Sequence, residues 1–90
     1  MKTMGFELKG QNFVVTGAAR GIGLAITRRL TELGAKVSGW DLDQTCMSKE
    51  STFSHFVKVD VTDENSVVSA TKETLQHFGV LHGLIANAGV

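Results

Sequence analysis

Gly17, Gly21 and Gly23 follow the apolar run Val14-Val15-Thr16 at a G-x-x-x-G-x-G spacing, and Leu24, Ala25 and Ile26 then open a helical pattern. The order reads as strand, tight turn, helix. Glycine serves where backbone must take positive φ, or approach a ligand or another element so closely that a β-carbon would collide. A helix starting at Gly21 turns its free N–H groups and the positive end of its dipole toward that turn, which favours an anion there. A pyrophosphate is the anion expected; an ordinary strand-to-helix turn, tightened by glycine for its own sake, is the alternative. Three further groups stand at the ends of later apolar runs: Asp41 with Leu42, Asp60 with Val61, and Asn87-Ala88-Gly89.

Residues 1 to 10 form a short lead-in in which Phe6 and Leu8 could tuck against the domain, and the first strand follows at about residues 12 to 16. The first helix runs from about Gly21 to Leu33, with Ile22, Ile26, Leu30 and Leu33 at i, i+4, i+8 and i+11 on one face, and Gly34 stops it. A second strand, residues 36 to 40, ends in Asp41. The polar stretch that follows is long enough for a crossover with one or two helical turns around residues 44 to 50, as a parallel strand pair requires. The third strand spans residues 55 to 59 and leads to Asp60. Thr62 or Asp63 can cap a third helix, in which Val68, Thr71, Leu75 and Phe78 recur at i, i+3, i+7 and i+10. After Gly79, residues 81 to 86 make a fourth apolar strand. No repeat, linker or low-complexity segment interrupts the pattern.

Strictly alternating strands and helices define an α/β chain. Right-handed crossovers then give a doubly wound parallel sheet of order 3-2-1-4 with helices on both faces. The connections reverse direction between strands 1 and 4, and ligands of such sheets bind at the carboxyl ends of the strands beside the reversal. One ligand could therefore touch the glycine turn, Asp41, Asp60 and Asn87 together.

Composition narrows the partners. Ninety residues permit one small domain with a modest core. Nine basic and nine acidic side chains cancel, so nothing marks electrostatic capture of nucleic acid or of an anionic membrane. The N-terminus lacks the apolar core of a secretion signal, no run approaches the length of a membrane span, and the single cysteine, Cys46, cannot close an internal disulfide. A cytoplasmic protein is expected. His55, His77 and His82 show no metal-ligand spacing, so no metal site is expected.

From about Leu8 onward the chain resembles the N-terminal part of the short-chain dehydrogenase/reductase family. Thr16, Gly17, Gly21, Ile22 and Gly23 meet every fixed position of that family's T-G-x-x-x-G-I-G motif, Asp60-Val61 matches its acid and apolar residue after the third strand, and Asn87-Ala88-Gly89 matches its N-A-G. The resemblance implies a partial, Rossmann-type NAD(P)-binding domain over residues 1 to 90. It implies that Gly17, Arg20, Gly21, Ile22 and Gly23 lie against the dinucleotide, with Ile22 near the nicotinamide. Asp60 would then bond the adenine amino group beside Val61, and Asn87 would brace the fourth strand near the adenosine ribose. Asp60 as a mere helix cap, and Asn87 as a loop residue satisfying its own backbone, are the alternatives.

Asp41 bears on cofactor choice. A carboxylate at the end of strand two can accept from both ribose hydroxyls of NAD, whereas a 2′-phosphate there would meet like charge. Arg20 argues the other way, because NADP-preferring relatives carry a basic residue at this point of the motif. Asp41 outweighs it: repulsion at the hydroxyl itself is harder to evade than attraction from an exposed arginine, and Leu42 supplies no second positive charge. NAD is expected, with NADP second.

Two small departures from the family pattern stand at His82, where many members carry Asp, and Ala86, where many carry Asn. A larger one concerns catalysis. The resemblance implies a tyrosine, a lysine, a serine and a further asparagine downstream of N-A-G, and these ninety residues contain no tyrosine. No catalytic residue is expected among these ninety. The segment alone is expected to be inactive, the cofactor-binding portion of an oxidoreductase that interconverts an alcohol and a ketone and forms a homo-oligomer when complete. A catalytically inactive stand-alone dinucleotide-binding module is the alternative, and a Rossmann-like methyltransferase a weaker one.

Overall fold

The computed structural model describes residues 7 to 87. In chain order they form β1 (Asn12–Thr16), α1 (Gly21–Glu32), β2 (Lys36–Asp41), α2 (Gln44–Ser48), β3 (His55–Lys58), α3 (Glu64–Phe78) and β4 (Gly83–Ile85). The strands make one parallel sheet in the order β3-β2-β1-β4, as the alternation of elements predicts. Thr16 lies opposite Trp40, and Asp41 opposite Lys58, so the chemically interesting ends of the strands fall on one edge of the sheet.

Successive side chains of a strand point to opposite faces, and β1 and β2 divide accordingly. Val15 and Val37 are buried with Ala18 under Ile26 and Leu30 of α1, joined by Phe53 and Ile85. Val14 and Trp40 are buried on the other face with Val59 and with Ala70 of α3, joined by Val57, Val67 and Leu81. Each such aliphatic side chain contributes about 1.5–3 kcal/mol by leaving water, and together they clamp the helices to the sheet.

The structure departs from the sequence expectations in particulars. Ile22 does not join the buried stripe of α1 but stands 71% exposed, because Gly23 and Thr27 are the residues of that helix turned onto the sheet. In α3 the buried residues are Ala70 and Thr74, whereas Val68 and Leu75 are 45% and 40% exposed. Trp40 fills the space beneath α3, so only small side chains fit against it. Asp63, not Thr62, caps α3 by accepting from the Asn65 N–H at 3.0 Å. β4 is shorter than expected: it pairs with β1 alone, over Gly83 to Ile85. Its approach is fixed by His82, whose backbone N–H donates to the Asn12 carbonyl while its ring Nδ1 accepts from the Asn12 N–H at 2.9 Å. Exposed His82, where many members of the family pattern carry Asp, thus makes a local polar bond of its own. Half-buried Leu8 donates its N–H to the Leu33 carbonyl at 2.8 Å; Phe6 lies outside the described residues. Among the described residues, no helix is long and apolar enough to cross a membrane.

Candidate functional site

Between β1 and α1 the chain turns on Gly17 at φ 64° and Gly21 at φ 59°, values that L side chains rarely adopt. Gly23 serves a different purpose. A β-carbon there would lie 2.0 Å from the Gly17 carbonyl oxygen and 2.9 Å from Nδ2 of Asn87, so only glycine lets α1 start this close to the turn and to the end of β4. Arg20 stands at the N-cap of α1 in extended conformation and offers no side-chain cap, and no acidic residue lies in the first turn. The other two helices differ: Asp43 accepts from the Cys46 N–H at the start of α2, and Asp63 caps α3. The first N–H groups of α1 therefore remain available to an external acceptor.

Asp41, at the end of β2, is tied to the same turn. Its Oδ2 accepts from the Ala19 N–H at 3.1 Å and its Oδ1 from the Asp43 N–H at 2.9 Å. These bonds fix the carboxylate beside the glycine turn while leaving further lone pairs on both oxygens. Asp43 in turn pairs with the Arg20 guanidinium, whose Nη2 also lies 3.7 Å from the Cys46 sulfur. Bonding to the Cys46 backbone N–H holds the Asp43 carboxyl below its ordinary value, and Arg20 adds to the effect. Hydrogen bonding to Asp43, followed by desolvation, pushes the Cys46 thiol up.

A cavity of about 240 Å³ opens between the ends of β1, β2 and β3. Gly17, Trp40, Leu42, Val59 and Val61 give it mostly apolar walls, and Asp41, Asp60 and Thr62 supply its polar groups. Asp60 Oδ1 accepts from the Thr62 hydroxyl at 2.6 Å and the Thr62 N–H at 2.9 Å, bonds that hold its carboxyl below its ordinary value. Its side chain thus closes its own turn and does not cap α3, so the helix-cap alternative fails. Asn87 reaches the glycine turn from β4: its N–H donates to Thr16 Oγ1 at 2.9 Å and its Nδ2 to the Gly17 carbonyl at 3.3 Å. Ala88 and Gly89 lie outside the described residues.

The structure thus gathers Gly17, Arg20, Gly21, Ile22, Gly23, Asp41, Leu42, Asp60, Val61 and Asn87 at the carboxyl edge of the sheet. Sequence reasoning passed over Trp40, Val59 and Thr62, which line the cavity, and Asp43, which pairs with Arg20. Strand alternation offers a signal for Trp40, one residue before Asp41. Asp43 carries only the general mark of an N-cap residue.

A parallel α/β sheet with a glycine turn, an uncapped helix and carboxylates on its carboxyl edge is a nucleotide-binding architecture of the doubly wound kind. The family model "short chain dehydrogenase" matches residues 11–90, and the chain belongs to that family. It is 37% identical over 89 residues to L-fucose dehydrogenase of Bos taurus, covering 96% of this chain and 33% of the relative. To L-rhamnose 1-dehydrogenase (NADP(+)) of Thermoplasma acidophilum it is 35% identical over 92 residues, 93% of this chain and 36% of the relative. A crystal structure of NAD+-bound xylitol dehydrogenase superimposes with a TM-score of 0.88 at 30% identity, over 93% of this chain and 35% of that one. The chain spans about a third of the length of these relatives. Membership of a dehydrogenase family leaves the methyltransferase alternative without support.

Proposed function

We propose that these residues form part of an NAD-binding domain in a cytoplasmic oxidoreductase that interconverts an alcohol and a ketone, complete and homo-oligomeric only with further chain. The observation that carries this reading is the uncapped N-terminus of α1 opening beside an apolar cavity whose rim bears two carboxylates. The donor set fits a dinucleotide. A β-carbon at Gly23 would close the approach of α1 to its turn, the backbone N–H groups suit a pyrophosphate, and the walls formed by Trp40, Val59 and Val61 suit a flat, weakly polar base. A nicotinamide dinucleotide, when bound, supplies the hydride carrier.

In this reading Gly17, Gly21 and Gly23 keep the backbone close to the phosphates, and Asp41 accepts from the ribose hydroxyls with the lone pairs that Ala19 and Asp43 leave free. Asp60 and Val61 meet the adenine, Leu42 borders it, and Ile22, exposed at the mouth of the turn, faces the nicotinamide half. Asn87 borders the ribose on the side of β4. Proton transfer falls to residues outside these ninety.

Titration of the intact protein with NAD and NADP, read by emission of Trp40, its single tryptophan within this sequence, tests the proposal. NAD is expected to bind tighter, and Asp41→Ala is expected to narrow that preference by about tenfold, or 1.4 kcal/mol. A preference unchanged in Asp41→Ala would remove Asp41 from the assigned role.

A further inference from the structure

Beside the cavity a second, open hollow is lined by Arg20, Asp41, Asp43 and Lys58, among others. Two cations and two carboxylates face it, so it is neutral overall, yet the charges are not equally available. Arg20 lies in its ion pair with Asp43, and Lys58 forms no ion pair among the described residues. Asp43 is itself held from two sides: its Oδ1 accepts from the Cys46 N–H at 2.9 Å to start α2, and its own N–H donates to Asp41 at 2.9 Å. One short turn therefore sets two carboxylates side by side and fastens the arginine to the second of them.

We propose that Asp43 is a specificity-determining residue, which holds the Arg20 guanidinium away from the space beside Asp41 and adds a second negative charge there, so that a ribose diol is accepted and a ribose 2′-phosphate refused. The inference rests on the reading of this edge as a dinucleotide site and goes further, because it supplies a reason why an arginine at this point of the glycine turn would not recruit NADP. Asp41 would repel the phosphate directly. Asp43 would remove its only strong partner on the α1 side, since Arg20 is the one residue there with a planar fork suited to phosphate. Loss of the Asp43 charge would leave the hollow with one net positive charge and a guanidinium free to turn toward the incoming group, which itself carries about −1.5 to −2 at neutral pH.

Asp43→Asn isolates this effect, because asparagine retains the oxygen that caps α2 and caps a helix as well as aspartate does. In the intact protein Asp43→Asn is expected to tighten NADP about fivefold to tenfold, while NAD changes less than about twofold, within the range for losing an exposed ion pair. Adding Arg20→Ala is expected to abolish most of the gain. An NADP gain that persists in full without Arg20 would overturn the clamp, because Asp43 would then act by its own charge alone. An NADP:NAD ratio unmoved by Asp43→Asn but shifted by Asp41→Ala would overturn the role of Asp43 and leave the dinucleotide site standing. Failure of both nucleotides to bind the unaltered protein would overturn both.

Discussion

Against the α1 face of the sheet the interior is mainly aliphatic, Val15, Val37, Ile26 and Leu30 with Phe53 beside them, glycine stands where helix meets turn, and the buried Thr27 hydroxyl bonds back within its own helix; against the α3 face Trp40 and Ala70 share the interior with linked hydroxyls and an imidazole. The indole Nε1 donates to Thr74 Oγ1 at 3.2 Å, Thr74 lies 3.5 Å from Ser38 Oγ, and Ser38 is 2.7 Å from His55 Nδ1. His55 Nε2 then meets Glu73 at 3.0 Å, and its ring stacks on His77. Among the described residues no buried side-chain nitrogen or oxygen lacks a partner. The two faces solve different problems. On the α1 side the backbone itself must come close, so side chains are removed; on the α3 side a large ring must form a cavity wall, so its one polar atom is anchored by a chain of bonds reaching solvent.

That contrast is broken most severely at Gly23. Alanine there would place a methyl group against the Gly17 carbonyl, which is backbone and has little room to yield, and close to the Asn87 side-chain amide that bonds the same carbonyl. It would also disturb the carbonyl that accepts the Thr27 hydroxyl at 2.9 Å. Gly23→Ala is expected to destabilise the fold by about 3 kcal/mol, the upper range for overpacking, and to abolish nucleotide binding. Urea denaturation followed by circular dichroism measures the first effect. A stable variant that binds normally would show that α1 has no need of this approach.

On the other face the loss is of a bond, not of space. Thr74→Val keeps the shape and leaves the indole N–H buried without its acceptor, a change expected to cost about 1–3 kcal/mol. Because Trp40 lines the cavity, its emission should change in the same variant, whereas Thr71→Val, whose hydroxyl bonds back to the Val67 carbonyl in the same helix, should leave emission unaltered. Equal spectra for the two variants would mean that the chain of hydroxyls does not hold the ring.

These faces were unequally legible in the sequence. The start of α1, the ends of β1 and β2 and the strand order follow from apolar runs punctuated by glycine, signals carried by neighbouring residues. The buried side of α3 does not. Its periodic apolar residues favour Val68 and Leu75, yet the helix turns Ala70 and Thr74 inward, because Trp40, on a strand three elements earlier in the chain, needs both the room and the acceptor. Ile22 departs from the apolar stripe of α1 for a related reason: the close contact of Gly23 with Gly17 helps set the rotation of the helix start, which leaves Ile22 outside while Ile26 and Leu30 pack inward. The Arg20–Asp43 pair joins residues 23 apart across two connections, and neither residue's own neighbourhood announces the other.

Asp60 offers the finest probe, because it sits at the rim of the α3-side cavity and its carboxylate is held by Thr62 of its own turn. Its bonds to Thr62 favour the ionised carboxyl and lower its pKa from the ordinary 3.8. A group depressed in the folded state adds stability that is fully present above its ordinary value and is lost as the pH falls through the lower, folded value. Asp60→Asn removes that contribution at neutral pH but has little left to remove in acid. Denaturation of both proteins at pH 7 and near pH 3 should therefore show a small stability difference that shrinks on acidification. Were the difference the same at both values, the ionised carboxylate would not be what the Thr62 bonds favour, and the order of the α3-side rim would rest on the Trp40 anchor and on the backbone bond from Asp60 to Ser66.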